Sequence, residues 1–122
     1  MQEQEKLLLE HELRRTVHVI RPRMARLEDE TALLFLEHEL ENIINESELT
    51  PPKVVLNFES VESLVTPTLA KLMSYRSRFI TRGGTIVLCG LRPAVAEVMK
   101  ITHFDRLMPT YATEAEAIRK IG

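Results

Sequence analysis

The residues best placed to do chemistry lie in the stretch Leu56-Asn57-Phe58-Glu59-Ser60-Val61-Glu62-Ser63-Leu64-Val65-Thr66-Pro67-Thr68. An apolar strand pattern ends at Phe58, a short polar loop follows, and Thr66-Pro67 reads as the start of a helix. Thr66 suits the N-cap, where its oxygen would accept a backbone amide, and Pro67 suits the first helical position. The spacing therefore puts a hydroxyl at the positive end of a helix, beyond the carboxyl end of a central strand. In open α/β sheets that edge is where binding sites collect.

Other chemistries find no matching pattern. The histidines are His11, His18, His38 and His103; no two are three or four residues apart, and none has a second ligand at metal-site spacing. They read as surface or half-buried side chains. His38 lies between Glu37 and Glu39, but adjacent helical positions face different ways. The one cysteine, Cys89, sits in the apolar run Ile86-Val87-Leu88-Cys89, which marks a buried, inert thiol. It has no partner for an internal disulfide, as expected of a reducing, cytoplasmic compartment. Gly83-Gly84 precedes a strand, so it reads as a turn and not as a phosphate cradle. There is no Gly-x-Ser-x-Gly elbow and no nucleophile with a base and an orienting group. The residues argue for no enzyme, no metal and no cofactor.

The elements that must hold the loop are those of one domain. With 122 residues and 44% apolar composition, the chain is globular and has room for a single core. A domain of this length buries roughly two-thirds of its unfolded surface. The formal charge is -2, from 16 Lys and Arg against 18 acids, and the signs are mixed. Arg14, Arg15, Arg21, Arg23 and Arg26 are the densest bases and read as a solvated loop edge. No aromatic residues interleave with them, so nucleic acid is not an expected partner. No apolar stretch approaches the ~20 residues of a membrane span. The polar start, Met-Gln-Glu-Gln-Glu-Lys, is unlike a signal peptide, and residues 1–6 are expected to be loosely attached.

Periodicity predicts strands over 7–13 and 16–20, joined at Arg14-Arg15 and ended by Pro22. A helix over 28–45 follows, with Leu33, Leu36, Leu40, Ile43 and Ile44 on one stripe. Residues 45–52 form a linker with two prolines. Residues 54–58 are an apolar, β-branched run typical of a parallel strand covered on both faces. A helix over 67–82, with Leu69, Leu72, Met73, Arg76, Phe79 and Ile80 inward, stops at Gly83-Gly84. Residues 85–89 are a second buried strand, and Pro93 opens a third helix with Val95, Val98 and Met99 inward. Residues 108–112 suit an edge strand. A last helix starts at Thr113, with Glu116 at capping-box spacing. This alternation predicts an α/β fold: one domain over 1–122, with a four- to five-stranded mixed sheet and about four helices.

In order and spacing the chain resembles the STAS domain, the family of the bacterial anti-sigma-factor antagonists. Val54 to Phe58 match the family's strand, and Val61, Leu64, Leu69 and Leu72 its apolar anchors. Gly83 to Pro93 is similar to its glycine turn, next strand and loop. Val98, Ile101-Thr102 and Phe104 to Leu107 look like its third helix and exit, and Glu114 to Ile118 like its final helix. The resemblance runs from about residue 17 to residue 121. It implies docking on an anti-sigma factor, often a serine/threonine kinase, with Thr66 on the phosphorylatable position and a phosphatase to reverse the switch. It further implies a partner face at Glu62, Ser63, Val65, Thr66, Pro67 and Thr68, on a monomer or weak dimer in the cytoplasm. The sequence departs from the family at Val65, where Asp or Ser is usual, at Ser63 for an aromatic residue, and at Pro67 and Thr68. Thr66 as an unmodified helix cap is therefore the competing expectation, with Thr68 a second acceptor. Two alternatives stand beside the switch: a non-switching scaffold subunit of a signalling assembly, and a small ligand-binding domain or enzyme on the same fold.

Overall fold

The structure, a computed structural model, describes residues 8–27, 30–47 and 49–122. The expectations for residues 1–6, and for the starts of the first strand and first helix at Leu7 and Glu28, lie outside the described residues.

Strands β1 (Leu9–Arg14) and β2 (Val17–Pro22) pair antiparallel, with Leu9 opposite Pro22 and Arg14 opposite Val17. The turn falls at Arg15-Thr16, one residue later than expected, with Arg15 at φ 60°. A left-handed residue there lets a tight turn follow the twist of the strands. Pro22 belongs to β2 and does not merely end it. The ladder to β4 (Lys53–Asn57) engages only Val17 to Ile20, so the amide that Pro22 lacks is not needed on that side.

Strands β2, β4 and β6 (Thr85–Cys89) run parallel, and β7 (Thr110–Tyr111) adds a parallel edge beside β6. The mixed five-stranded sheet has the order β1-β2-β4-β6-β7. This is the α/β architecture that the alternation predicts. A separate two-stranded parallel ribbon joins β3 (Arg26–Leu27) to β5 (Ser63–Leu64). Pairs this short leave no alternation in the sequence, and neither strand was anticipated.

Side chains alternate across the sheet and divide the core in two. Ile20, Val54, Leu56, Ile86 and Leu88 face the larger core. It is filled by α1 (Glu30–Glu46), α2 (Thr66–Thr81) and α3 (Pro93–Ile101). Val17, Val19, Val55, Val87 and Cys89 face the other way, onto Ala117 of α4 (Glu114–Ile121). The apolar runs in β4 and β6 thus report strands covered on both faces.

The stripe of α1 is buried at Leu36, Leu40, Ile43 and Ile44 as expected, and is widened by Ala32 and Phe35. In α2 the inward line is Thr68, Leu69, Leu72, Tyr75 and Phe79. Ile80, expected inside, is 50% exposed, because it lies about a quarter turn away from that line. Tyr75 was not anticipated. Its ring is buried, and its hydroxyl donates to Glu41 Oε1 of α1 at 3.1 Å. The Gly83-Gly84 stop is a left-handed turn at Gly83 (φ 77°), whose amide donates to the Ile80 carbonyl while that of Gly84 donates to the Phe79 carbonyl, both at 2.9 Å. Gly84 is also short of space, since a Cβ there would lie 1.9 Å from the Pro52 carbonyl oxygen.

A 3-10 turn over Phe104–Arg106, entered through His103 at φ 63°, was not foreseen. The last helix is capped as its spacing predicts, with Thr113 Oγ1 accepting the Glu116 amide at 3.2 Å.

Candidate functional site

The loop between β4 and α2 is built in from both ends. The Phe58 amide donates to the Cys89 carbonyl at 3.0 Å, which carries the β4–β6 ladder one residue further. The Val61 amide then turns back onto the Phe58 carbonyl at 2.9 Å, and the Val61 side chain is fully buried as the plug of the loop. The amides of Glu62 and Ser63 both donate to the Ala25 carbonyl, at 2.6 and 3.0 Å. The β3–β5 ribbon follows, and Leu64 turns into the core.

Val65 is extended (φ -111°, ψ 157°), and its carbonyl accepts the amides of Thr68 and Leu69 at 3.0 and 3.4 Å. Val65 is therefore the N-cap, and Thr66 is the first residue inside the helix. This corrects the expectation that Thr66 caps the helix and Pro67 opens it. The first turn closes on the carbonyl of Val65, so Pro67 falls second, still where proline is tolerated. No side chain caps α2, and no acid stands in its first turn. Among the described residues the Thr66 hydroxyl takes no hydrogen-bond partner, and the residue is exposed.

The six residues expected on the partner face do not stay together. Glu62, Val65, Thr66 and Pro67 are exposed, and Ser63 is half-buried beside them. Thr68 is only 1% exposed and points inward, its hydroxyl donating to the Leu27 carbonyl at 2.9 Å. It offers no surface to a partner and no free hydroxyl, which corrects its place on that face and as a second acceptor.

Several residues that shape the loop carried no signal of their own. Asn57 ends β4, 5% exposed, with Oδ1 accepting the Glu59 amide at 2.9 Å. Arg92, just before α3, donates from Nε to the Glu59 carbonyl at 2.7 Å. Its Nη1 lies 3.9 Å from Glu62 Oε1, an exposed pair worth little.

Arg21 is not on a solvated loop edge. Its Nη1 donates to Glu10 at 2.7 Å and to Glu12 at 3.1 Å, and its Nη2 to Glu114 at 2.5 Å. The Arg21 guanidinium, and then the Asn57 amide, hold the Glu114 carboxyl below the usual carboxylate range against the opposing effect of burial.

His11 and His18 also meet, although their spacing gave no hint of it. The antiparallel β1–β2 pairing brings their ring nitrogens to 2.9 Å, and His11 Nδ1 lies 2.6 Å from Glu39 of α1. Among the described residues no group of three or more His, Cys, Asp or Glu is arranged to hold a metal ion. Burial, followed by the charge of Glu114, pushes the Cys89 thiol up to about 12, so it is no nucleophile at neutral pH. No helix among the described residues is long and apolar enough to cross a membrane. What the loop presents is an outward face pinned by backbone hydrogen bonds, with an unengaged hydroxyl at the head of a helix.

The STAS domain model matches residues 14–117, and the chain belongs to that family. Solved structures share its fold. An anti-sigma factor antagonist from Mycobacterium paratuberculosis superposes with a TM-score of 0.78 at 20% identity, over 93% of this chain and 92% of that one. An anti-sigma-factor antagonist (STAS) domain protein from Planctomyces limnophilus gives 0.73 at 24% identity, over 93% and 97%. The Bacillus cell fate determinant SpoIIAA in its phosphorylated form gives 0.69 at 19% identity, over 93% and 99%. No curated protein was found to match the chain by sequence.

Proposed function

We propose that this chain is an anti-sigma-factor antagonist-like regulator. It docks on an anti-sigma factor or serine/threonine kinase in the cytoplasm through Glu62, Ser63, Val65, Thr66 and Pro67, and is released when Thr66 is phosphorylated. A phosphatase acting on the phosphorylated form restores docking. The observation that carries the reading is the exposed, unengaged Thr66 hydroxyl at the first helical position of α2.

The physics of that position supports a switch without a change of fold. A phosphate adds about -1.5 to -2 charges and three acceptor oxygens. The head of α2, with no acid in its first turn, receives that charge favourably. A partner packed over it does not, because a buried unpaired charge costs about 2–5 kcal/mol. At 1.4 kcal/mol per decade this is roughly thirtyfold to several thousandfold in affinity. Val65, 37% exposed where the family commonly has Asp or Ser, gives the face an apolar contact beside the hydroxyl. Support for the partner class comes from the family and from what similar folds are described as doing.

The test is a pull-down from lysate of the source organism with wild type, Thr66→Ala and Thr66→Glu as baits. Retention of a kinase-type partner by the first two and its loss from Thr66→Glu is the expected result. Identical captures by all three would replace the switch with a permanent scaffold.

A further inference from the structure

The loop ahead of Thr66 is held from behind by a residue far from it in sequence. Glu114 is the first residue of α4. Its Oε1 accepts Arg21 Nη2 at 2.5 Å, and its Oε2 accepts Arg21 Nε at 2.9 Å and Asn57 Nδ2 at 2.7 Å. Facing a carboxylate, the Asn57 amide has one favourable orientation, with nitrogen toward Glu114 and oxygen away. That orientation aims Oδ1 at the Glu59 amide, 2.9 Å away. The carbonyl of the same residue is taken by Arg92 Nε at 2.7 Å.

Gly90 makes the arrangement possible. It has φ +68°, and a Cβ there would lie 2.9 Å from Asn57 Oδ1 and 3.3 Å from Glu59 Cβ. The charge that orients Asn57 is itself fixed, since Arg21 is shared with Glu10 and Glu12 of β1. A chain of direct contacts thus runs from β1 and β2 through α4 to Glu59. From there the backbone leads through residues 60–61 to the Glu62 and Ser63 amides, held on the Ala25 carbonyl, and to the head of α2.

We propose that Glu114 is a positioning residue for the partner face: by orienting Asn57 it sets the Glu59 backbone, and through residues 59–62 the place of Thr66. This rests on the proposed function only in naming that face as the docking surface. Glu114 acts through Asn57, so its effect depends on which side of the Asn57 amide faces it.

The test measures amide hydrogen exchange in the full chain, with β6 amides as the internal reference, and partner affinity beside it. The variants are Glu114→Ala, Asn57→Asp, the double variant Asn57→Asp/Glu114→Gln, and Thr113→Ala, which weakens α4 without touching the Asn57 contact. Glu59 exchange is expected to quicken about tenfold relative to β6 in Glu114→Ala, the range of one lost hydrogen bond. Asn57→Asp sets two carboxylates against each other and should do the same. The double variant turns a donor back toward the carboxylate introduced at position 57 and should return Glu59 to within about threefold of wild type. Thr113→Ala should leave the ratio unchanged. Should Glu114→Ala fail to fold, Asn57→Asp and the double variant carry the test. Equal Glu59 exchange in wild type and Asn57→Asp, or no restoration in the double variant, overturns the proposal. So does a partner that binds Glu114→Ala as tightly as wild type while the loop exchanges faster. The expected exchange pattern in a chain that captures no partner upholds the loop positioning and removes the docking reading instead.

Discussion

Thr68 and Leu27 are joined by a buried hydrogen bond, hydroxyl to carbonyl at 2.9 Å, across 41 positions of sequence. The bond ties the first turn of α2 to the β3–β5 ribbon, directly beneath the exposed face that carries Thr66. Thr66 and Thr68 are two residues apart and chemically alike, yet one faces water and the other is a structural strut.

Thr68→Val keeps the shape of the side chain and removes the donor, taking from the buried Leu27 carbonyl the bond that Thr68 supplies. A loss of about 1–3 kcal/mol is expected by urea denaturation. Thr68→Ser keeps the donor and should lose less. Equal losses in the two would mean that packing, and not the hydrogen bond, is what matters there.

Thr66 is expected to be nearly silent in stability, because its hydroxyl caps nothing. Thr66→Ala should change the unfolding free energy by less than about 0.5 kcal/mol. Thr66→Glu should be neutral or stabilising by about 0.3–1 kcal/mol at low salt, through the helix dipole. A destabilisation of about 2 kcal/mol by either, well outside the range for a surface substitution, would mean that binding data on these variants report folding.

Thr113 is where an alanine should cost what Thr66 does not. Its hydroxyl accepts the Glu116 amide at 3.2 Å, and losing an N-cap costs about 1 kcal/mol. Thermal unfolding of Thr113→Ala beside Thr113→Ser tests this; the serine variant should recover most of the loss.

His18 should show its environment in a titration. Burial, and then the neighbouring His11, push its pKa below the ordinary histidine value of 6.5, while Glu46 and Glu39 pull weakly the other way. On acidification the unfolded chain therefore takes up this proton first. The stabilisation is present above pH ~6.5 and is lost as pH falls from there through the folded-state value. The His18 ring resonances should titrate with a midpoint below 6.5. His18→Gln should remove part of the stability lost between neutral and mildly acid pH. A midpoint at or above the ordinary value would contradict the half-buried, paired setting.

Gly90→Ala combines two penalties, a left-handed φ of +68° and a Cβ placed 2.9 Å from Asn57 Oδ1. A destabilisation of at least ~2 kcal/mol by denaturant unfolding is expected. Larger chemical-shift changes should appear at Glu59 than at Gly83, which is left-handed too but has only loose contact with Pro51, at 3.9 Å and beyond.

The sequence alone determined the order of the four helices and of the five strands of the main sheet, and the reason is local periodicity. Apolar residues recur every three or four positions in α1 and α2 and run without break in β4 and β6. Gly83-Gly84, Pro93 and Thr113 punctuate them. Those patterns placed the β4–α2 loop at the carboxyl edge of the sheet and put Thr66 at the head of a helix. Tertiary structure decided what such patterns do not encode. Whether a threonine faces in or out depended on where the Leu27 carbonyl came to lie. The cap moved to Val65 because the first turn closed on the Val65 carbonyl, one residue from where side-chain preference pointed. Tyr75 faces inward and Ile80 outward because packing on β6 and α1 fixed the rotation of α2. Arg21 became an ion-pair hub because folding brought it to Glu114, 93 positions away, and His11 found His18 through the pairing of β1 and β2. Each of these depends on contact between segments whose separation leaves no local signal, and only the packed sheet and helices bring them together.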